Sequence, residues 1–214
     1  MQIAFLLYDG FTSLDAIGPY DVLNRIPGSE VVFVAEQAGP VETEARSLKL
    51  IAERPLAEVT SPDVLVVPGG MGNRGLLEDE TLLSWLRDVH ETTTWTTSVC
   101  TGSLLLAAAG ILDGVPATTH WMARDQLAEL GATVVPDRVV EHGKIITAAG
   151  VSAGIDMGLT LIQRMLGDEA AQAIQLGIEY DPEPPFDAGS PEKAPPEIVE
   201  AVRSVMTAEA EAQV

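Results

Sequence analysis

The sequence is short of cysteine, of basic residues and of clustered histidine, and each shortage closes off a class of function. One cysteine in 214 residues excludes a disulfide-stapled scaffold, which needs paired thiols. That cysteine and three scattered histidines offer no ligand spacing for zinc, so no metal is expected. Lys and Arg number 12 against 32 Asp and Glu, a formal charge of −20. Such a balance argues against nucleic acid as a partner, because basic side chains supply most of the affinity for a phosphate backbone. No P-loop or Gly-x-Gly-x-x-Gly fingerprint follows a strand-like run, so nucleotide binding has little support. Long apolar runs are missing too. Met1–Tyr8 is apolar but stops at Asp9-Gly10, too short to span a membrane and without the basic start of an export signal. The expectation is a cytoplasmic protein with no membrane partner, where an unpaired thiol stays reduced.

What is present is a core. Hydrophobic residues make up 46% of the chain, and the length suits one domain with a short appendage. Short apolar runs alternate with helix-period stretches. Ile3–Tyr8, Glu30–Ala35, Asp63–Pro68 and Thr94–Val99 read as strands. Leu14–Ile26, Asp79–His90 and Thr101–Gly110 read as helices. Continuous apolar strands alternating with helices predict a doubly wound α/β domain, its mostly parallel sheet covered on both faces. A small hairpin is expected from Glu42–Ala45 and Leu48–Ile51, and another around His142-Gly143. Helices are expected over Met122–Leu130, Ser152–Leu166 and Asp168–Leu176, the last capped by Asp168. The chain divides into an α/β domain, 1–178, and a Pro-rich extension, 179–214. In the extension Tyr180–Pro196 cannot be helical, and Ile198–Met206 forms a helix before a frayed end. The segment reads either as a disordered tail or, with Tyr180 and Phe186 as anchors, as packed on the domain or on a second subunit.

Cys100 is the first candidate for chemistry. It lies between the β-branched run Trp95–Val99 and the helical run opened by Thr101-Gly102. A residue at a sharp strand-to-helix turn is lifted clear of the sheet's carboxyl edge, as in a nucleophile elbow. A helix beginning just beyond it favours thiolate over thiol. Asp15, soon after the first strand, has apolar neighbours Leu14, Ala16 and Ile17. It reads either as a helix cap or as a partly desolvated acid with a raised pKa. If both strands end at one edge, Asp15 and Cys100 meet, and the acid can donate a proton and later accept one. Pro68-Gly69-Gly70 ends the strongest strand, and such a turn frees backbone N–H groups for an oxyanion-type pocket. Thr101 adds its own N–H, and its hydroxyl is within reach of a carboxylate. His120, in Thr118-Thr119-His120-Trp121, is a candidate base for a Cys–His pair, or else a satisfied, partly buried side chain. His90 and His142 read as exposed.

Several stretches together resemble the ThiJ/PfpI superfamily. They are Phe11–Leu23, Val67–Gly72, Thr97–Gly102, Ala117–Trp121, Gly150–Asp156 and Ala173–Pro191. The likeness is closest to its isonitrile (isocyanide) hydratases, chiefly through Tyr180–Pro191. The resemblance implies a flavodoxin-like fold and a cofactor-free homodimer that hydrates an isonitrile to an N-substituted formamide. It implies Cys100 as nucleophile, Asp15 as acid and base, and Thr101 positioning Asp15. The N–H groups of Gly70 and Thr101 would line the pocket. Protease- and deglycase-like members commonly carry His after the cysteine and Glu near the N-terminus. Thr101 and Asp15 stand at those places here, which weakens a protease reading and makes His120 structural. Two other readings compete: a glyoxalase- or deglycase-like or non-catalytic domain, and a ligand-sensing domain like those of AraC-type regulators. The absence of a basic recognition helix opposes the regulator.

Overall fold

The computed structural model describes Met1–Ala212; the last two residues of the predicted extension lie outside the described residues. The chain separates into Met1–Ile178 and Glu179–Val214. In the first unit, five strands pair in parallel: β1 (Gln2–Leu6), β2 (Glu30–Ala35), β6 (Val64–Val67), β7 (Trp95–Val99) and β11 (Ile145–Ala148). The two-residue β5 (Arg54–Pro55) closes one edge in parallel, and β10 (Val139–His142) closes the other antiparallel. The sheet order is β10-β11-β7-β6-β1-β2-β5. From β1 the chain winds outward to β2 on one side and then to β6 on the other. The crevice at the carboxyl ends of β1 and β6 is therefore a topological switch point, where open α/β sheets hold ligands. Smaller pairings join β3 (Gly39–Glu42) to β4 (Lys49–Ala52) and β8 (Pro116–Ala117) to β9 (Thr133–Val134).

Both faces of the sheet are buried, and the side chains of each strand divide between them. Ala4, Leu6, Leu65 and Val67 join one core with α2 (Glu80–Thr92), α3 (Gly102–Ala108) and α4 (Arg124–Glu129). Ile3, Phe5, Val64 and Val66 join the other with α1 (Ser13–Leu23) and α5 (Ala153–Leu166). This explains why β1 and β6 read as unbroken apolar runs: each has two interiors to fill. The fold is the expected flavodoxin-like α/β arrangement.

α1 and α5 pack through small residues. A Cβ built on Gly154 would lie 3.1 Å from Val99 and Pro19 side-chain atoms, and one on Gly158 would lie 3.0 Å from Val22 Cβ. This close approach sets the position of α1, and with it Asp15.

Several local expectations change. The first hairpin pairs 39–42 with 49–52, three residues earlier on its first strand, because Thr43–Arg46 belong to the turn. There Thr43 N–H bonds Leu48 O at 3.0 Å, and Arg46 is left-handed at φ 57°. Asp168 does not cap α6 (Asp168–Gly177); Gly167 precedes it, and Asp168 Oδ1 accepts from Gln163 instead. His90 is half-buried against Thr96 Oγ1 at 2.8 Å. In the second unit, 179–195 is non-helical and α7 (Pro196–Ala212) continues past Met206.

Replacing Gly158 with Val overpacks the α1–α5 contact and is expected to lower stability by about 1–3 kcal/mol. Urea unfolding of the variant against wild type measures this.

Candidate functional site

Three loops at the carboxyl ends of β1, β6 and β7 converge on the thiol. Cys100 follows β7 directly and takes a left-handed backbone, φ 56°, a rare conformation for a residue with a Cβ. It is held there from several sides. Its N–H bonds Ala148 O and Ala149 O at 3.1 and 3.0 Å. Its carbonyl accepts from Thr119 Oγ1 at 3.0 Å and Ser103 Oγ at 3.3 Å. Gly102 is the residue that lets the elbow form. A Cβ there would lie 2.1 Å from Val67 O, so the first turn of α3 sits against the backbone of β6. The second loop brings Pro68-Gly69-Gly70, fastened by Tyr8, whose hydroxyl donates to Pro68 O at 2.8 Å.

Asp15 comes from α1 and is fully buried. It caps nothing, since Thr12 is the N-cap residue of that helix. Its Oδ2 accepts the Gly69 N–H at 2.9 Å, while Oδ1 has no protein hydrogen-bond donor within bonding geometry. Burial drives the carboxyl group up from 3.8 to about 7, and the charge of Glu44 adds to this. The Gly69 N–H and the nearby Cys100 thiol pull the other way. The desolvated-acid reading of Asp15 therefore prevails over the cap.

The thiol departs from expectation. Burial and the neighbouring Asp15 charge push Cys100 above the ordinary thiol range. The N–H groups of Val151 and Thr101, both directed at sulfur, offset only part of that. A helix N-terminus is expected to lower the thiol's pKa; desolvation wins because Cys100 is only 5% exposed and lies beside a carboxylate. Near neutral pH the thiol therefore keeps its proton, and Asp15 is the partner that can change protonation state.

Thr101 and Gly70 come together, with a correction to Gly70. Its N–H donates to Thr101 Oγ1 at 3.0 Å, so it is not a free oxyanion donor. Asn73 Nδ2 donates to Thr101 O at 2.9 Å and fixes the same residue from the other side. His120 stays apart from this group. Its Nδ1 accepts the Met122 N–H, its ring lies against Gly150, and burial and Arg124 keep its pKa low. It caps the start of the single helical turn Trp121–Ala123. Among the described residues no group of three His, Cys, Asp or Glu is placed to hold a metal ion. A cavity of about 480 Å³ adjoins the site behind Tyr8 and Gly72, but neither Cys100 nor Asp15 lines it.

Sequence reasoning missed Tyr8, Asn73 and the role of Val151. Tyr8 carried a signal, as an aromatic with a polar tip at the end of the first strand. Asn73 carried none. Val151 also takes a left-handed backbone, φ 38°, and turns its N–H to the thiol.

The DJ-1/PfpI family model matches residues 1–164. The chain belongs to the DJ-1/PfpI family. An isonitrile hydratase of Pseudomonas putida is 46% identical over 203 residues, covering 95% of this chain and 89% of that one. A crystal structure of a ThiJ/PfpI family protein from Pseudomonas syringae superposes with TM-score 0.93 at 37% identity, over 98% of this chain and 87% of its own. A glutathione-independent glyoxalase of Caenorhabditis elegans is 24% identical over 163 residues, 75% of this chain and 86% of its own. The family therefore spans more than one chemistry.

The buried acid carries a pH signature. Because its folded pKa, about 7, lies above the ordinary 3.8, its contribution is favourable below about pH 4 and is lost as pH rises through about 7. The full difference corresponds to about 4 kcal/mol. Asp15→Asn keeps the acceptor for Gly69 and carries no charge. It is expected to be more stable than wild type at pH 8, with the gain shrinking towards pH 4, as thermal unfolding across that range will register.

Proposed function

We propose that this protein is a cysteine-dependent isonitrile hydratase, converting R–N≡C and water to R–NH–CHO without a cofactor. The observation that carries the reading is the buried Asp15, with a carboxyl near pKa 7, beside the chain's single thiol. The likeness to the Pseudomonas putida hydratase along nearly the whole chain supports it.

The chemistry follows from the pair. The Asp15 carboxylate takes the thiol proton as sulfur attacks the terminal isonitrile carbon, which is electrophilic once protonation accompanies attack. Asp15 returns that proton to the same carbon, leaving the thioimidate R–N=CH–S–Cys100. Water then adds at that carbon, Asp15 taking a proton from it and passing that proton to nitrogen. Collapse of the tetrahedral adduct, with Asp15 taking its hydroxyl proton, expels sulfur and releases the formamide, and Asp15 returns that proton to the thiol. The N–H groups of Val151 and Thr101 stabilise sulfur whenever it carries charge, at attack and at expulsion. Thr101 binds substrate and positions Asp15 indirectly, its Oγ1 holding Gly70 next to the Gly69 amide that bonds the acid. Gly70 acts by holding Thr101 rather than as a free donor. A neutral, small substrate suits a site with little exposed area and no cationic side chain among the groups that act on Asp15 or Cys100.

We further propose that the enzyme works as a cytoplasmic homodimer. The reduced thiol this mechanism needs supports the compartment. Among the described residues no helix is long and apolar enough to cross a membrane. Ile198, Val202 and Val205 form an exposed apolar stripe on α7, which suits subunit contact.

Three measurements test these proposals. Wild type is expected to turn over simple alkyl or aryl isonitriles to formamides, and inactivity across several of them would remove the hydratase reading. Cys100→Ala is expected to abolish turnover, and Asp15→Asn to reduce it about 100-fold or more, in line with loss of a general acid and base. Methylglyoxal consumption in place of isonitrile turnover would favour the glyoxalase. Sedimentation of the paired variant Val202→Glu, Val205→Glu is expected to show monomer where wild type is dimeric.

A further inference from the structure

Glu44 lies in the turn between β3 and β4, and that turn is bonded onto the loop after β1. The Glu44 N–H donates to Phe11 O at 3.0 Å, and the Gly10 N–H donates to Glu42 O at 2.9 Å. The Glu42 N–H donates to Asp9 Oδ1 at 2.9 Å, and Thr43 bridges to Phe11. The same loop presses on the turn after β6. The Thr12 N–H bonds Gly69 O at 2.8 Å, and a Cβ on Gly70 would lie 2.6 Å from Phe11 Cα. Backbone contacts thus lead in two steps from Glu44 to the Gly69-Gly70 turn over the thiol.

The Glu44 side chain is exposed, and among the described residues it enters no salt bridge. Its neighbour Glu42 is paired with Lys49 at 2.6 Å. The unpaired carboxylate is felt at three buried groups of the site: Asp15, Cys100 and Tyr8. None of the mechanistic steps uses it. A charge carried on a turn packed beside a poorly solvated site acts on whatever approaches, and like charges are held off there more strongly than in bulk water.

We propose that Glu44 is a specificity-determining residue, an acidic guard at the entrance to Cys100 that admits neutral small molecules and turns away anionic ones. This rests on the assignment of Cys100 as the reactive group, and it narrows the substrate class to isonitriles without a carboxylate or phosphate near the reacting carbon.

The single cysteine makes the test direct, because all thiol alkylation reports on one position. Rates of Cys100 modification by iodoacetamide, neutral, and iodoacetate, anionic, are measured by intact mass at low ionic strength. Each is divided by its rate with a small free thiol. The ratio of the two cancels any change in thiolate fraction and isolates charge discrimination. Wild type is expected to favour the neutral reagent. Glu44→Gln is expected to reduce that preference about three-fold or more, and added salt to reduce it in wild type as screening predicts. Glu129→Gln, an exposed acid on α4 outside the site, removes the same net charge and is expected to change nothing. An unchanged preference in Glu44→Gln overturns the proposal. So does an equal fall in Glu129→Gln, which would assign the effect to the whole protein's field, and so does a Cys100 that neither reagent reaches. Alkylation does not depend on hydration, so a protein inactive on isonitriles still decides the role of Glu44.

Discussion

The hydrogen bond from the Gly69 N–H to Asp15 Oδ2 is the constraint on which the site depends. It joins a helix that leaves β1 to a turn that ends β6, residues 54 positions apart in sequence. It also lets a carboxylate exist inside the protein at all. Without an amide aimed at it, a buried carboxyl would stay protonated well above neutrality and could donate but not accept. With one amide and the nearby thiol set against its burial, the group rests near the point where both protonation states are populated. The thiol is tuned by the same device, two backbone N–H groups against burial and a neighbouring charge.

These arrangements hold strain and buried charge at the site, and the rest of the fold stabilises them. Left-handed Cys100 and Val151 each sit where few side chains are comfortable. The four-sided fastening of Cys100, through Ala148, Ala149, Thr119 and Ser103, keeps the first in place. The close contact of α1 with α5 keeps Asp15 where the Gly69 amide can reach it. Two separate cores on the faces of one sheet make that rigidity available, since neither helix layer can shift without disturbing the strands that carry the loops.

Much of this was legible in the sequence because the signals were local. Unbroken apolar strands ending at Asp9-Gly10 and Pro68-Gly69-Gly70 announced a sheet buried on both faces. The strand–Cys100–helix junction announced an elbow. Asp15 stayed divided between cap and acid because its partner comes from another loop, and no local pattern encodes a partner 54 residues away. The thiol's pKa was misjudged for a similar reason: the helix terminus is visible in sequence, whereas the depth of burial is not. Gly70 was read as a free donor because nothing local shows that Thr101 Oγ1 lies opposite its amide. The first hairpin was displaced because alternation does not distinguish the last residues of a strand from the first of a left-handed turn.

The edges of the sheet bear on how copies of this chain can meet. β5 is two residues long and ends in Pro55, which has no N–H to offer, and β10 closes the far side with Glu141 and His142 exposed. Neither edge is a template for another strand, and the acidic surface repels a second one. Short, charged edges of this kind disfavour continuing the sheet from molecule to molecule. Helices and turns are then the surfaces left for one copy to meet another.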